Sequence, residues 1–224
     1  MTVPNLTLHD GTSIPQLGFG VFQVPPPETA ATVAKALDAG YRHIDTAQMY
    51  GNEAGVGEAI RTSGLARDDL YVTTKLNNSF HRPDAARREI DASLEKLGLD
   101  QVDLFLIHWP LPTQYDGDFV QTWRALIEAQ EAGKTRSIGV SNFQPAHLDR
   151  IVEETGVVPV VNQVEVHPFF ANSDVRAANR RHGVLTEAWS PIAKGTVMDD
   201  DTIGEIAAPT PSSLPYIWAV SMWR

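Results

Sequence analysis

The chain has 224 residues, 42% apolar and 21% charged, with 28 acidic against 18 basic residues and a formal net charge of −10. That length and apolar content are enough for a sizeable core, while the acidic balance argues against nucleic acid or an anionic membrane as partner. Cysteine is absent, which excludes disulfides, thiolate nucleophiles and cysteine-based zinc sites.

The opening residues, MTVPNLTLHDG, show neither the basic nor the apolar segment of a secretory signal. No apolar run approaches the roughly 18 residues of a membrane span. A cytoplasmic protein is the expectation. The first segment, VPNLTLHDGTSIPQLG, predicts a β-hairpin with Asp10-Gly11 at its turn. IPQLGFG then predicts a strand ahead of the first helix.

After PPPE the chain alternates regularly. ETAATVAKALDAG, EAGVGEAIRTSG, PDAARREIDASLEKLG, FVQTWRALIEAQEAGK, PAHLDRIVEETG and SDVRAANRRHG have helical periodicity. YRHIDT, LYVTTK, VDLFLIHW, RSIGVSN, PVVNQVEV and VLTEAWS read as strands between and after them. DDDTIGEIAA reads as the start of a further helix, with Thr202 as cap and Glu205 at capping-box spacing. Seven aliphatic strands, each followed by a helix or its beginning, imply a parallel sheet covered by helices. An open doubly wound sheet and a closed (β/α)8 barrel both fit that alternation. The open form should carry G-x-G-x-x-G after its first strand, whereas GFGVFQ supplies only Gly18 and Gly20. The barrel is favoured.

A barrel gathers its chemistry at the C-terminal ends of its strands. There the sequence places Asp45, then Tyr50 in the following loop, Lys75, His108-Trp109, Ser141-Asn142, Gln163 with Glu165 and His167, and Trp189-Ser190. Taken singly, an aspartate at a strand end is a turn former, a lysine is solvated and a histidine is packed. Together on one face, four of them make a proton-delivery set. A tyrosine donates poorly at neutral pH, and a neighbouring ammonium lowers its pKa. Asp45 would pair with Lys75, and His108 would donate to a carbonyl oxygen and steady the developing alkoxide. The set contains no nucleophile, and a hydride donor such as a nicotinamide completes it. Metal-dependent hydrolysis is the rival barrel chemistry; without an H-x-H or H-E-x-x-H pair, no metal site is expected. His9, His81, His147 and His182 are expected to be solvated, and His43 and His167 structural.

GYRHIDTAQMYGNE, TTKL, LFLIHWP, SIGVSNF, NQVEVHP and AWSPIAKG resemble the aldo-keto reductases. GFGVFQVPP and EKLGLDQVDLFLIHWP are most similar to bacterial members of the 2,5-diketo-D-gluconate and methylglyoxal reductase types. The resemblance implies a (β/α)8 barrel that reduces aldehydes and ketones with NADPH, commonly as a monomer. It assigns Tyr50 as general acid, Lys75 as the modulator of its pKa, Asp45 as partner of Lys75 and His108 as carbonyl-orienting donor. It places the nicotinamide carboxamide on Ser141, Asn142 and Gln163, an aromatic stack on Trp189, the pyrophosphate near Ser190 and Ile192, and a small carbonyl substrate among Phe22, Met49 and Trp109.

The resemblance ends near Ala208. Residues 1–208 are therefore expected to form a barrel lacking its usual eighth strand and C-terminal helices, with 209–224 as a tail outside the family pattern. In that tail YIWAVSMW (216–223) is a candidate substitute strand, the other reading being a disordered or aggregation-prone segment. The segment that grips the cofactor's 2'-phosphate in the family lies in the part expected to be missing. The alternative function is accordingly a pseudoenzyme of the same fold that binds cofactor weakly or not at all.

Overall fold

The computed structural model describes residues 3–207. The hairpin is formed by β1 (Asn5–Thr7) and β2 (Ser13–Pro15), paired antiparallel. Its turn spans Leu8 to Thr12, with Asp10 accepting the Thr12 N–H at 2.9 Å. Gly11 takes φ 86° there, a conformation that costs a residue without Cβ little. The single strand expected over IPQLGFG is divided in two. Ile14 and Pro15 belong to the hairpin, and the Gln16 N–H extends its pairing to the Pro4 carbonyl at 2.9 Å. Only β3 (Gly18–Gly20) enters the main sheet.

From there strands and helices alternate: α1 (Pro26–Asp38), β4 (His43–Asp45), α2 (Glu53–Thr62), β5 (Tyr71–Leu76), α3 (Pro83–Leu97), β6 (Val102–Ile107), α4 (Phe119–Glu131), β7 (Thr135–Ser141), α5 (Pro145–Thr155), β8 (Val161–Glu165), α6 (Ser173–His182), β9 (Leu185–Trp189) and α7 (Asp201–Ala207). Seven strands pair in parallel in sequence order from β3 to β9, curling as in a barrel. Among the described residues, β3 and β9 are the edges of this sheet. The last helix is capped differently from expectation. Asp200, not Thr202, accepts the Ile203 N–H at 2.9 Å, because the helix starts at Asp201.

Side chains alternate across each strand and build two apolar layers. Ile44, Val72, Phe105 and Val140 face outwards onto Val33, Ile90, Trp123 and Ile151. Tyr71, Leu104, Leu106 and Val161 face inwards, where Leu8 and Ile14 of the hairpin pack on them. The hairpin thus plugs the N-terminal end of the strands and leaves their C-terminal ends for chemistry. No described helix is long and apolar enough to cross a membrane. The boundary expected at residue 209 and the strand expected at 216–223 lie outside the described residues.

One glycine sets the spacing of the helical layer. A Cβ on Gly57 of α2 would lie 2.2 Å from the Leu97 carbonyl oxygen at the end of α3. Alanine would gain about 1 kcal/mol of helix propensity, but a clash with backbone is relieved only by moving a helix, at about 1–3 kcal/mol. Gly57→Ala is therefore expected to lower the urea midpoint. A raised midpoint would show that α2 and α3 tolerate the displacement.

Candidate active site

The C-terminal ends of the strands bring most of the expected residues into one hydrogen-bonded group. Asp45 ends β4 and Lys75 lies near the end of β5. The Lys75 side chain is fully buried; its Nζ donates to Asp45 Oδ1 at 2.5 Å and to the Thr46 carbonyl at 2.9 Å. Gln163 of β8 donates from Nε2 to the other Asp45 oxygen at 2.9 Å. Tyr50 closes a 3-10 turn, Gln48–Tyr50, with its ring centroid 5.2 Å from Lys75 Nζ. His108 follows β6 directly and meets the Tyr50 ring edge-on, centroids 5.7 Å apart.

The second half of the group is tied to the first through Asn142, held in the left-handed region at φ 63°. Its Nδ2 donates to the His108 carbonyl at 3.0 Å and to Ser141 Oγ at 3.1 Å. Its Oδ1 accepts the Trp189 indole N–H at 2.9 Å. Ser141 Oγ in turn donates to the Gln163 carbonyl at 2.8 Å. Ser190 and Ile192 lie in the turn after β9, outside this group. Phe22, Met49 and Trp109 are large apolar side chains left exposed, and the Phe22 ring lies 5.1 Å from that of Tyr50. Met49 and Trp109 adjoin Tyr50 and His108 in sequence.

Burial decides the protonation states. It pushes the Tyr50 phenol up, and the opposing pull of the Lys75 charge does not reverse it. The expectation that Lys75 would bring the phenol nearer the working range is corrected to that extent. For Lys75, burial acts downwards, but the Asp45 and Tyr50 charges outweigh it and the ammonium is held above its ordinary value. Burial, reinforced by Lys75, pulls His108 down to about 4, so its imidazole is neutral near pH 7 and carries one N–H to donate.

Three residues of the TAQMYGNE loop hold Tyr50 in place, and sequence reasoning passed over them. Gln48 donates to the Glu89 carbonyl and to Ser93 Oγ, both at 2.7 Å, and accepts the Asn77 N–H at 2.7 Å. Asn52 donates to the Val21 carbonyl at 2.9 Å and accepts from Thr46 Oγ1 at 2.8 Å. The turn is thereby pinned to α3, to the end of β5 and to the loop after β3. The only prior signal was that three polar residues flank Tyr50.

His81 corrects another expectation. It is buried, stacked on Tyr115 at 5.3 Å and hydrogen-bonded with Thr122, because the loop carrying Tyr115 folds over it. His147 and His182 are half-buried rather than solvated: His147 caps α5, and His182 contacts Asp149 at 2.6 Å. His43 is buried against Thr73 at 2.9 Å, and His167 contacts Glu165 at 3.2 Å. A cavity of about 560 Å³ opens at the hairpin end, lined by Arg42, Tyr71, Asp103 and Arg136, away from Tyr50 and His108.

Residues 16–213 match the Aldo/keto reductase family. The methylglyoxal reductase DkgA of Yersinia pestis is 46% identical over 221 residues, covering 96% of this chain and 78% of that protein. The crystal structure of an aldo/keto reductase from Brucella melitensis superposes with a TM-score of 0.91 at 49% identity, over 97% of this chain and 83% of that one. A variant of Gox0644 crystallised in complex with NADPH superposes with a TM-score of 0.88 at 43% identity, over 93% of this chain and 75% of that one.

Proposed function

The chain belongs to the aldo/keto reductase family, and on that premise we propose that it is an NADPH-dependent reductase of small aldehydes and ketones, with Tyr50 as proton donor. The observation that carries this reading is the buried Lys75–Asp45 pair beneath Tyr50, with neutral His108 at its edge. DkgA-type relatives are named for methylglyoxal, and a small dicarbonyl suits an approach lined by Phe22, Met49 and Trp109. The chain is taken to work as a monomer.

His108 donates its N–H to the substrate carbonyl oxygen and orients it. Tyr50 gives its proton to that oxygen as negative charge develops. A phenol held above its ordinary pKa stays protonated at neutral pH, and an alkoxide is basic enough to take the proton nonetheless. Lys75 holds its ammonium under the phenol ring and stabilises the phenolate left behind. Asp45 keeps that ammonium in place.

The residues proposed for the nicotinamide fit a carboxamide. Gln163 donates from Nε2 to Asp45 and offers its Oε1 as an acceptor to a carboxamide N–H. Asn142 Oδ1 accepts one hydrogen bond from Trp189 and has a second lone pair. Ser141 is tied to both residues, and the part-exposed Trp189 offers a ring face for stacking. Ser190 and Ile192 would meet the pyrophosphate. When bound, NADPH supplies the hydride.

NADPH titration followed by tryptophan fluorescence tests the binding half of this reading. Saturable quenching is expected, with its largest share lost in Trp189→Phe. No quenching into the millimolar range would instead favour a fold that has lost its cofactor.

A further inference from the structure

Inward of the Asp45–Lys75 pair lies a carboxyl group that the proposed chemistry leaves unused. Glu187, at the middle of β9, is 5% exposed, is paired in register with Gln163, and has an Oε2 without a hydrogen-bond partner. One ligand atom each from His43, Asp45 and Glu187 lie within 4.8 Å of one another. The groups around Glu187 come from every neighbouring element: His43 and Asp45 on β4, Tyr50 in the turn after it, Tyr71 and Lys75 on β5, and Gln163 on β8.

The charges of this cluster do not balance if both carboxyls are ionised. His43 is neutral, because burial pulls it down to about 4. Two ionised carboxylates against the one Lys75 ammonium would leave a net negative charge largely withdrawn from water, which is costly. A metal ion or a proton would balance it. A metal would have to compete with the ammonium 2.5 Å from Asp45 Oδ1 and the Gln163 amide 2.9 Å from Oδ2. A proton displaces nothing, since each Asp45 oxygen keeps a second lone pair.

We propose that Glu187 is a positioning residue for the Asp45–Lys75–Tyr50 group, held as a neutral carboxylic acid that shares its proton towards Asp45 and so fixes the charge beneath Tyr50. Burial, reinforced by the Asp45 charge and opposed by Lys75 and by a hydrogen bond from Gln163, pushes the Glu187 carboxyl up to about 8. Between the ordinary value of 4.5 and about 8 the folded chain keeps a proton that the unfolded chain releases, so stability falls as pH rises through that window. Above it, ionised Glu187 pushes the Tyr50 phenol further up and weakens it as an acid. The kinetic consequence rests on the reading of Tyr50 as proton donor; the protonation of Glu187 does not.

Two measurements on the full chain test this. Infrared difference spectra should show a carboxylic acid C=O band that titrates near pH 8 and is missing from Glu187→Gln. The rate of methylglyoxal reduction by NADPH should drop roughly three- to tenfold across that titration, the effect of up to about one unit in the phenol's acidity. In Glu187→Gln the rate should lose that drop and hold level across the same pH range. Absence of the acid band at neutral pH in the wild type overturns the proposal, and this arm needs no variant to fold. An unchanged alkaline drop in Glu187→Gln also overturns it. A titrating band in a chain without turnover would overturn the proposed reaction, and the positioning role with it.

Discussion

Tyr50→Phe is expected to lower kcat for carbonyl reduction by about 10²–10⁴-fold, the range of a lost general acid. Its effect on the Kd for NADPH should be small. Only the hydroxyl is removed. The ring contacts with Phe22 at 5.1 Å and His108 at 5.7 Å remain available to phenylalanine, as does the face lying 5.2 Å from the Lys75 ammonium. The turn is held by Gln48 and Asn52, neither of which bonds to the phenol. Packing and binding should therefore survive while proton delivery is lost. Single-turnover kinetics with a fluorescence Kd separates the two effects. Retained turnover would remove Tyr50 from the role of acid.

Lys75→Met is expected to cost about 3–5 kcal/mol of stability, because it leaves the Asp45 carboxylate without its counter-charge. The Asp45 side chain is only 14% exposed, so water offers limited compensation. A loss of that size is a large fraction of the roughly 5–15 kcal/mol that holds a typical domain. Adding Asp45→Asn should recover part of it, since the second change neutralises the orphaned charge. The Lys75 ammonium is held above its ordinary 10.5, so its stabilising contribution is complete at neutral pH and is lost only as pH rises beyond that value. Urea unfolding of the single and double variants reads out the coupling. A single-variant cost below about 1 kcal/mol would place the pair among weak surface bridges.

Much of this arrangement is legible in the sequence. Helical periodicity and aliphatic strand runs mark the helices and strands, and the barrel rule then points to the strand ends where Asp45, Lys75, His108, Asn142 and Gln163 stand. What pattern could not supply was depth. His81 sits in a polar stretch that reads as a solvated loop, and only the fold of the Tyr115 loop over it shows otherwise. Glu187 sits in LTEAWS among residues that read as an ordinary strand. Its significance comes from β4 and β5, more than a hundred residues earlier in the chain, closing on the same interior. The Tyr50 phenol follows the same logic. Its neighbour Lys75 could be anticipated from the motif, but the burial that outweighs the lysine belongs to the packed site as a whole. IPQLGFG was divided between two sheets because the hairpin claimed Ile14 and Pro15 for its plug.

The most direct measurement is the steady-state absorbance of NADPH with purified chain and methylglyoxal. Loss of reduced cofactor that matches alcohol formed, and that stops in Tyr50→Phe, is the expected result. NADPH left unchanged by the wild-type chain over a range of small aldehydes and ketones would contradict it.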